Sequence, residues 1–584
     1  MAPRNGGRVI GQAGESQGRA SRRGIERWVP GLHALRTYEQ GWLPRDLVAA
    51  VVLSALLVPQ GMAYAELAGL PAITGLYTTV VCLLAYAAFG SSRYLVLGPD
   101  SSLGPIIAAV ILPLAAGSPE RATALAGLLA LMVGALAIGA GIARLGFVAD
   151  LLSQPVRLGY MGGLAAVIFV SQLPVLFGFS ADGGNLVEDV LAFVGGLHAT
   201  HVPSLLVGLI ALAIMVGLPR LRPGSPGILV AVSVTLGLSV LLGLAAQGVA
   251  VVGVLPQGFP VPALPLVTME DIPLLVAGAF GITLVAVGDT ISVSSGFAAR
   301  QGVEVESNQE IIGMGSANVA AGLFSGFPVS TSSSRTAVAE QAGAKSQLTG
   351  VAAAALVLAM LVLAPGLVAD LPMPVLAAVI IVASSRLLDV PGLRRLWVVR
   401  RSEFVIAAAC FLGVVLVGVL EGIVVAVTVS VLQIFVRAWQ PYRTELGTAP
   451  NLQGFHDLTR HAEADPIDGL VIFRWDAPLI FANSMIFRDA VRDAIARADP
   501  RPRWVLVAAH AVTDVDTTAA DMLVTFDEEL NARGIHLAFA GLKGPVKDKV
   551  GRYGLYHTID PEHFYPNISS AVEAFRHAAE ELSG

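Results

Sequence analysis

The sequence predicts a polytopic α-helical membrane protein of 14 segments in two inverted repeats of seven, followed by a small α/β domain at the C-terminus. Three observations carry this. Hydrophobic residues make up 55% of the 584 positions and charged residues 14%, with a mean hydropathy of +0.71, too apolar for a soluble chain of that length. The apolar residues come in helix-spanning runs from about Leu47 to about Val436, and ordinary charged sequence takes over from Pro441. Two Ser- and Pro-interrupted hydrophobic segments recur at corresponding places in the chain.

Apolar length and punctuation place the spans at about 47–69, 74–90, 94–116, 122–144, 159–179, 203–219, 226–247, 272–297, 308–326, 329–345, 347–366, 372–389, 403–420 and 421–438. The third opens with Leu97-Gly98-Pro99-Asp100-Ser101-Ser102, the tenth with Phe327-Pro328-Val329-Ser330-Thr331-Ser332-Ser333-Ser334-Arg335. Irregular backbone of this kind cannot face lipid, where each unpaired amide costs several kcal/mol, so both segments must pack inside protein or line a cavity. Pro99 and Pro328 are 229 residues apart, as are Gln60 and Asp289, which implies a repeat of seven spans. An odd-numbered repeat inverts in the membrane, and two of them return the chain to its starting side.

The organisation expected is an N-terminal tail (1–45), a transmembrane domain (46–440) and a C-terminal domain (441–584). Arg4, Arg8, Arg19, Arg22, Arg23, Arg27, Arg36 and Arg45 make the tail cytoplasmic by the positive-inside tendency, and no apolar core precedes the first span to form a signal peptide. The net charge of −6 resides largely in the C-terminal part and describes a soluble surface, with no indication of nucleic acid. Cys82 and Cys410, both in apolar stretches, read as buried small hydrophobes. In the C-terminal part, strands are expected at Leu470–Trp475, Trp504–His510 and His536–Gly541, and helices at Ser484–Ala498, Thr517–Arg533 and Ser569–Leu582.

Within the apolar region the ionisable residues away from span ends are Glu66, Asp100, Asp289, Arg335 and Glu340. Each charge at bilayer depth costs roughly 2.5–3.5 kcal/mol on insertion scales, so such residues are functional candidates. Glu66 and Glu340 read as structural hydrogen-bonding groups, Arg335 and Asp289 as functional ones. Arg335 sits about one turn into a helix with a Ser-rich start, where unpaired backbone N–H groups and a guanidinium converge on a place suited to an anion. Two facing helix starts at about +0.5 each, together with Arg335, give roughly +2, which matches a divalent oxyanion. The hydroxyls of Ser101, Ser102, Ser333 and Ser334 would replace its water, although a serine run is also ordinary helix-capping sequence.

At these residues the chain resembles the sulfate permease (SulP) family, solute carrier family 26 in animals, with a STAS domain. Pro59-Gln60-Gly61-Met62-Ala63-Tyr64-Ala65-Glu66-Leu67-Ala68-Gly69-Leu70-Pro71, then Gly75-Leu76-Tyr77 and Phe89-Gly90-Ser91-Ser92-Arg93, looks like the family's first signature. Asn308-Gln309-Glu310, Ser334-Arg335-Thr336 and Gly343-Ala344-Lys345-Ser346-Gln347-Leu348 look like later ones. Phe473-Arg474-Trp475-Asp476-Ala477-Pro478 and Thr513-Asp514-Val515-Asp516-Thr517-Thr518 resemble STAS sequence. The resemblance implies a UraA-like core and gate, a homodimer, and an anion site formed by Gln60, Tyr64, Asp100, Ser101, Ser333, Ser334 and Arg335. It also implies an ion-coupling role for Asp289. Val293 stands where the sodium-linked members would want a hydroxyl, which points away from sodium. Thr517 falls near the serine phosphorylated in stand-alone STAS relatives and reads here as a helix N-cap.

The function expected is secondary active transport of a small inorganic anion, with proton-coupled sulfate uptake by alternating access across the cell membrane, and with no cofactor or metal. Bicarbonate or a C4-dicarboxylate is the alternative substrate, and an uncoupled channel or exchanger, or a receptor sensing an anion, are the alternative classes. No cluster of nucleophile, base and orienting group points to an enzyme.

Overall fold

The computed structural model describes residues 28–581 apart from 147–152, 182–185, 223–224, 260, 266, 302–304 and 451. Arg4, Arg8, Arg19, Arg22, Arg23 and Arg27 of the expected basic tail lie outside the described residues. The chain divides into two compact units, one ending at Ser430 and one beginning at Val431.

In the first unit the expected segments appear as α1 (Leu43–Leu67), α2 (Ala72–Phe89), α3 (Gly104–Ala115), α4 (Pro119–Ile142), α5 (Gln154–Phe177), α6 (Val202–Leu221), α7 (Gly227–Leu242), α8 (Ile272–Gln301), α9 (Ser307–Leu323), α10 (Ser333–Gln341), α11 (Leu348–Leu363), α12 (Met373–Ser385), α13 (Arg401–Leu416) and α14 (Val419–Trp439), the last of which runs into the second unit. Among the described residues, seven helical stretches are long and apolar enough to cross a membrane. The starts of α1 and α8, of α3 and α10, and of α4 and α11 are each 229 residues apart, so the repeat spacing read from two residue pairs also governs helix boundaries.

The third and tenth segments are not full spans. The third is strand β1 (Leu97–Gly98) followed by the 12-residue α3, and the tenth is strand β2 (Ser330–Thr331) followed by the nine-residue α10. At 1.5 Å per residue these helices reach about 18 Å and about 14 Å, half the bilayer core. β1 and β2 pair antiparallel, Leu97 with Thr331 and Gly98 with Ser330. Side chains from intact helices satisfy the neighbouring backbone: Asn318 Nδ2 donates to Val329 O at 3.0 Å, Val329 N donates to Asn318 Oδ1 at 2.9 Å, and Gln347 Nε2 donates to Ser92 O and Leu95 O at 2.9 and 3.0 Å. This is how non-helical backbone is tolerated at membrane depth.

The helices group into two bundles. One joins α1–α4 with α8–α11, through contacts such as α4 on α9, α2 on α9 and α1 on α11; the other joins α5–α7 with α12 and α13. The first bundle draws the same four segments from both repeats, and the second joins α5 and α6 with their counterparts α12 and α13 and adds α7. Short helices at Leu186–Gly196 and Val390–Val399 were not expected, since neither has spanning length. Cys82 and Cys410 are free and buried.

The C-terminal unit is a six-stranded sheet of order β4-β3-β5-β6-β7-β8, formed by β3 (Arg443–Gly447), β4 (His456–Asp457), β5 (Leu470–Trp475), β6 (Trp504–Ala508), β7 (His536–Ala540) and β8 (Phe564–Tyr565). β5 to β8 are parallel neighbours and β3 is antiparallel to both β4 and β5. Helices α15 (Ser484–Arg497), α16 (Thr517–Asn531) and α17 (Gly544–Arg552) contribute Phe487, Phe526 and Val550 to one core layer; α18 (Ile568–Glu581) contributes Val572 and Phe575 to the other. The unit begins inside α14, N-terminal to the boundary expected at Pro441, and Asn483 Nδ2 donates to Ala438 O at 3.0 Å, tying the last turn of that helix to this unit. The N-cap expectation for Thr517 is corrected: Asp516 caps α16 by accepting from Ala519 N at 2.8 Å and also accepts from Phe481 N at 2.7 Å, leaving Thr517 exposed at the first helical position. Nearby, a hydrogen bond from Lys549 holds the Asp514 carboxyl below its ordinary range.

Helix packing in the first unit rests on small residues, as is usual where lipid removes the hydrophobic drive between helices. A Cβ on Gly75 of α2 would collide with the Gly61 carbonyl of α1, whereas one on Gly237 of α7 meets nothing within 4 Å. Gly75→Val is therefore expected to cost about 1–3 kcal/mol and to lower the thermal midpoint of the detergent-solubilised protein, while Gly237→Val leaves it in place. Equal midpoints for the two variants would contradict this packing.

Candidate anion-binding site

The β1–β2 pairing places the starts of α3 and α10 at one cavity of about 490 Å³, lined from one bundle by α1, the α3 approach, α8 and α10, and from the other by α5, α7 and α12. Of the residues expected at the site, Gln60, Tyr64, Asp100, Ser101, Ser333, Ser334 and Asp289 line this cavity. Ser102, Thr331 and Ser332 line it as well. Gln60 Oε1 is buried without a hydrogen-bond partner; as an acceptor it suits a donor group rather than an anion. Ser332 caps α10 by accepting from Arg335 N. The serine run thus serves both readings at once, one residue closing the helix start and Ser333 and Ser334 facing the cavity.

Arg335 lies elsewhere. Its side chain is fully buried, it is not among the lining residues, and Nε, Nη1 and Nη2 have no hydrogen-bond partner. It occupies the space behind β1, where a Cβ on Gly98 would stand 2.9 Å from Nη1; the missing side chain at Gly98 makes room for the guanidinium. Asp100 is the nearest carboxylate, with Oδ1 3.7 Å from Arg335 Nη2. The other oxygen of Asp100 accepts from Ser102 Oγ at 2.8 Å and from Ser102 N at 3.2 Å, and Ser102 Oγ is also 3.1 Å from Asp289 Oδ2. A continuous chain therefore runs from Arg335 through Asp100 and Ser102 to Asp289. Glu66 and Glu340 do not line the cavity.

Sequence reasoning missed three charged lining residues, Arg157, Arg386 and Asp389. Arg157 Nη1 donates to Ser292 Oγ at 2.9 Å. Both arginines fall near span ends, where a positive charge reads as an interfacial anchor. The signal that finds them is the repeat itself, since Arg157 and Arg386 are 229 residues apart. The same step relates other lining residues: Gln60 and Asp289, Tyr64 and Val293, Ser102 and Thr331, Leu158 and Leu387. The cavity is built by equivalent positions of two repeats, with a carboxylate in one where the other has a carboxamide.

The profile of the sulfate permease family matches residues 43–410, and that of the STAS domain residues 461–571. A probable sulfate transporter of Mycobacterium tuberculosis is 39% identical over 549 residues, covering 94% of this chain and 98% of that protein. The chloroplastic sulfate transporter 4.1 of Arabidopsis thaliana is 30% identical over 570 residues, covering 94% of this chain and 82% of that one. The structure of the murine solute carrier 26 family member A9 anion transporter in its inward-facing state shares the fold, with a TM-score of 0.87 at 23% identity over 99% of this chain and 100% of that one. The chain belongs to the sulfate permease family, a family of membrane transporters rather than enzymes, and carries a STAS domain at its C-terminal end.

Proposed function

We propose that the protein is a secondary active transporter that takes up sulfate together with a proton by alternating access. The observation that carries this reading is the charge balance of the cavity. Asp100, Asp289 and Asp389 face Arg157 and Arg386, and Arg335 stands behind Asp100, so the side chains balance when all are ionised. The two helix starts add about one positive charge. One proton on a carboxyl raises the total to about two, which neutralises a dianion. The hydroxyls of Ser101, Ser333 and Ser334 supply neutral donors in place of water. A monoanion such as bicarbonate is the second reading, favoured by the net charge of about one that remains when every carboxyl is ionised.

Alternating access is supported by the position of the cavity between two bundles that each contain segments of both repeats. The resemblance to the family supports a homodimer. The arginines of the N-terminal tail and an even number of segments support a cell-membrane protein with both termini cytoplasmic.

Two substitutions test the reading. Asp289→Asn, a permanently neutral carboxyl mimic, is expected to bind sulfate without the pH dependence of the wild type and to abolish uphill uptake driven by a proton gradient. By linkage, a proton that assists the anion is itself held more tightly when the anion is present, so an Asn variant that still concentrates sulfate with the wild-type pH profile would count against coupling at Asp289. Arg335→Gln is expected to raise the half-saturation for sulfate about tenfold or more, the equivalent of about 1.4 kcal/mol, because its charge reaches the cavity through low-dielectric protein. An unchanged half-saturation would remove Arg335 from the site.

A further inference from the structure

Ser102 presents a hydrogen-counting problem. Its hydroxyl carries one hydrogen but lies 2.8 Å from Asp100 Oδ2 and 3.1 Å from Asp289 Oδ2, and Ser102 is buried. A serine Oγ donates once, so it satisfies one of two ionised carboxylates, and its lone pair then faces the other at hydrogen-bond distance. Both contacts are attractive only when one carboxyl carries a proton and donates to the serine oxygen. The groups facing this pair are Tyr64 from α1, Arg157 and Tyr160 from α5, Arg335 from α10, and Arg386 and Asp389 from the α12 side. Ser102 Oγ is within hydrogen-bond distance of both carboxyls.

The buried guanidinium presents a second problem. Arg335 has three nitrogens without hydrogen-bond partners, and its contact with Asp100, at 3.7 Å, is longer than a charge-assisted hydrogen bond. An unpaired buried cation is costly. Asp100 therefore acts as the internal anion that holds Arg335 in place, on the cavity side of the guanidinium and at the start of a helix suited to an external one.

We infer that Ser102 relays a proton from Asp289 to Asp100, and that neutralising the counter-ion of Arg335 in this way opens the site to a dianion. The proton on Asp289 Oδ2 passes to Ser102 Oγ as the serine's own hydrogen passes to Asp100 Oδ2; one O–H bond breaks and one forms at the serine, so one proton moves and no electron does. Before the transfer, Asp100 balances Arg335. Afterwards that balance is supplied by the anion in the cavity, so sulfate and proton bind as one unit. The inference rests on the proton-coupled reading proposed above and assigns two further residues to it, Asp100 as the proton's destination and Ser102 as its carrier.

The test measures equilibrium binding of radiolabelled sulfate to the full-length protein in detergent across pH, for wild type, Asp100→Asn, Ser102→Ala and Asp289→Asn, each first shown to elute as a single species. One linked proton gives the wild type a change of about tenfold in affinity per pH unit, tighter at lower pH. Asp100→Asn, which removes the counter-ion's charge, is expected to bind sulfate at high pH as tightly as the wild type does at low pH, with the slope at least halved. Ser102→Ala leaves both carboxyls and both charges in place, and removing a path does not change the number of protons bound at equilibrium, so the relay is read from the rate of proton-driven sulfate uptake into proteoliposomes, expected to fall about tenfold or more in this variant. Wild-type uptake by Ser102→Ala and a wild-type slope in Asp100→Asn, alongside a flat profile for Asp289→Asn, would overturn the relay and leave coupling at Asp289 standing. Wild-type slopes in both Asp100→Asn and Asp289→Asn would overturn both.

Discussion

The architecture depends on one constraint, the need to satisfy broken backbone away from lipid. Peptide groups around Leu97 and Ser330 cannot pair within a helix, and lipid offers them no partner. They pair with each other as β1 and β2, and Asn318 and Gln347 reach in from intact helices to complete the set. That pairing leaves two half-length helices with their N-terminal ends at one cavity. Under the function proposed above, the anion site is a by-product of hydrogen-bond satisfaction: the start of α10 and the turn that leads into α3 face the cavity that an anion would occupy.

Charge then decides what such a site accepts. Helix starts and arginines alone would make a static trap for oxyanions, too favourable to release them. The structure opposes them with Asp100, Asp289 and Asp389, so the balance is close and shifts by a whole unit with one proton. Placing Arg335 behind Asp100 keeps the guanidinium out of water and makes its field dependent on the state of a neighbouring carboxyl. Transport needs binding that can be switched, and near-neutrality provides the means.

Much of this was legible in the sequence, for identifiable reasons. Spans announce themselves through apolar length, so the number of segments followed directly; the Pro-Ser interruptions at Pro99 and Pro328 marked the cavity because no other environment tolerates them. The residue pairs at a spacing of 229 marked the repeat. Burial was not legible: Arg335 was expected to face the anion, and only packing reveals that Gly98 makes room for it behind the strand. Arg157 and Arg386 were hidden by their position near span ends, where positive charge has an ordinary explanation, although the repeat spacing relates them. In the C-terminal unit, alternation gave the central strands β5, β6 and β7, while β3, β4 and β8, of five, two and two residues, left too little pattern to read. Asp516 rather than Thr517 caps α16 because its carboxylate spans two loops, a tertiary demand that local capping preference does not contain.

The most direct test of the central claim, that a proton completes the charge balance for a divalent anion, is uptake of radiolabelled sulfate into proteoliposomes containing the wild-type protein under an imposed inward pH gradient. The account predicts accumulation of sulfate above its external concentration, abolished when a protonophore collapses the gradient. Sulfate that only equilibrates, at the same level with and without the gradient, would contradict it.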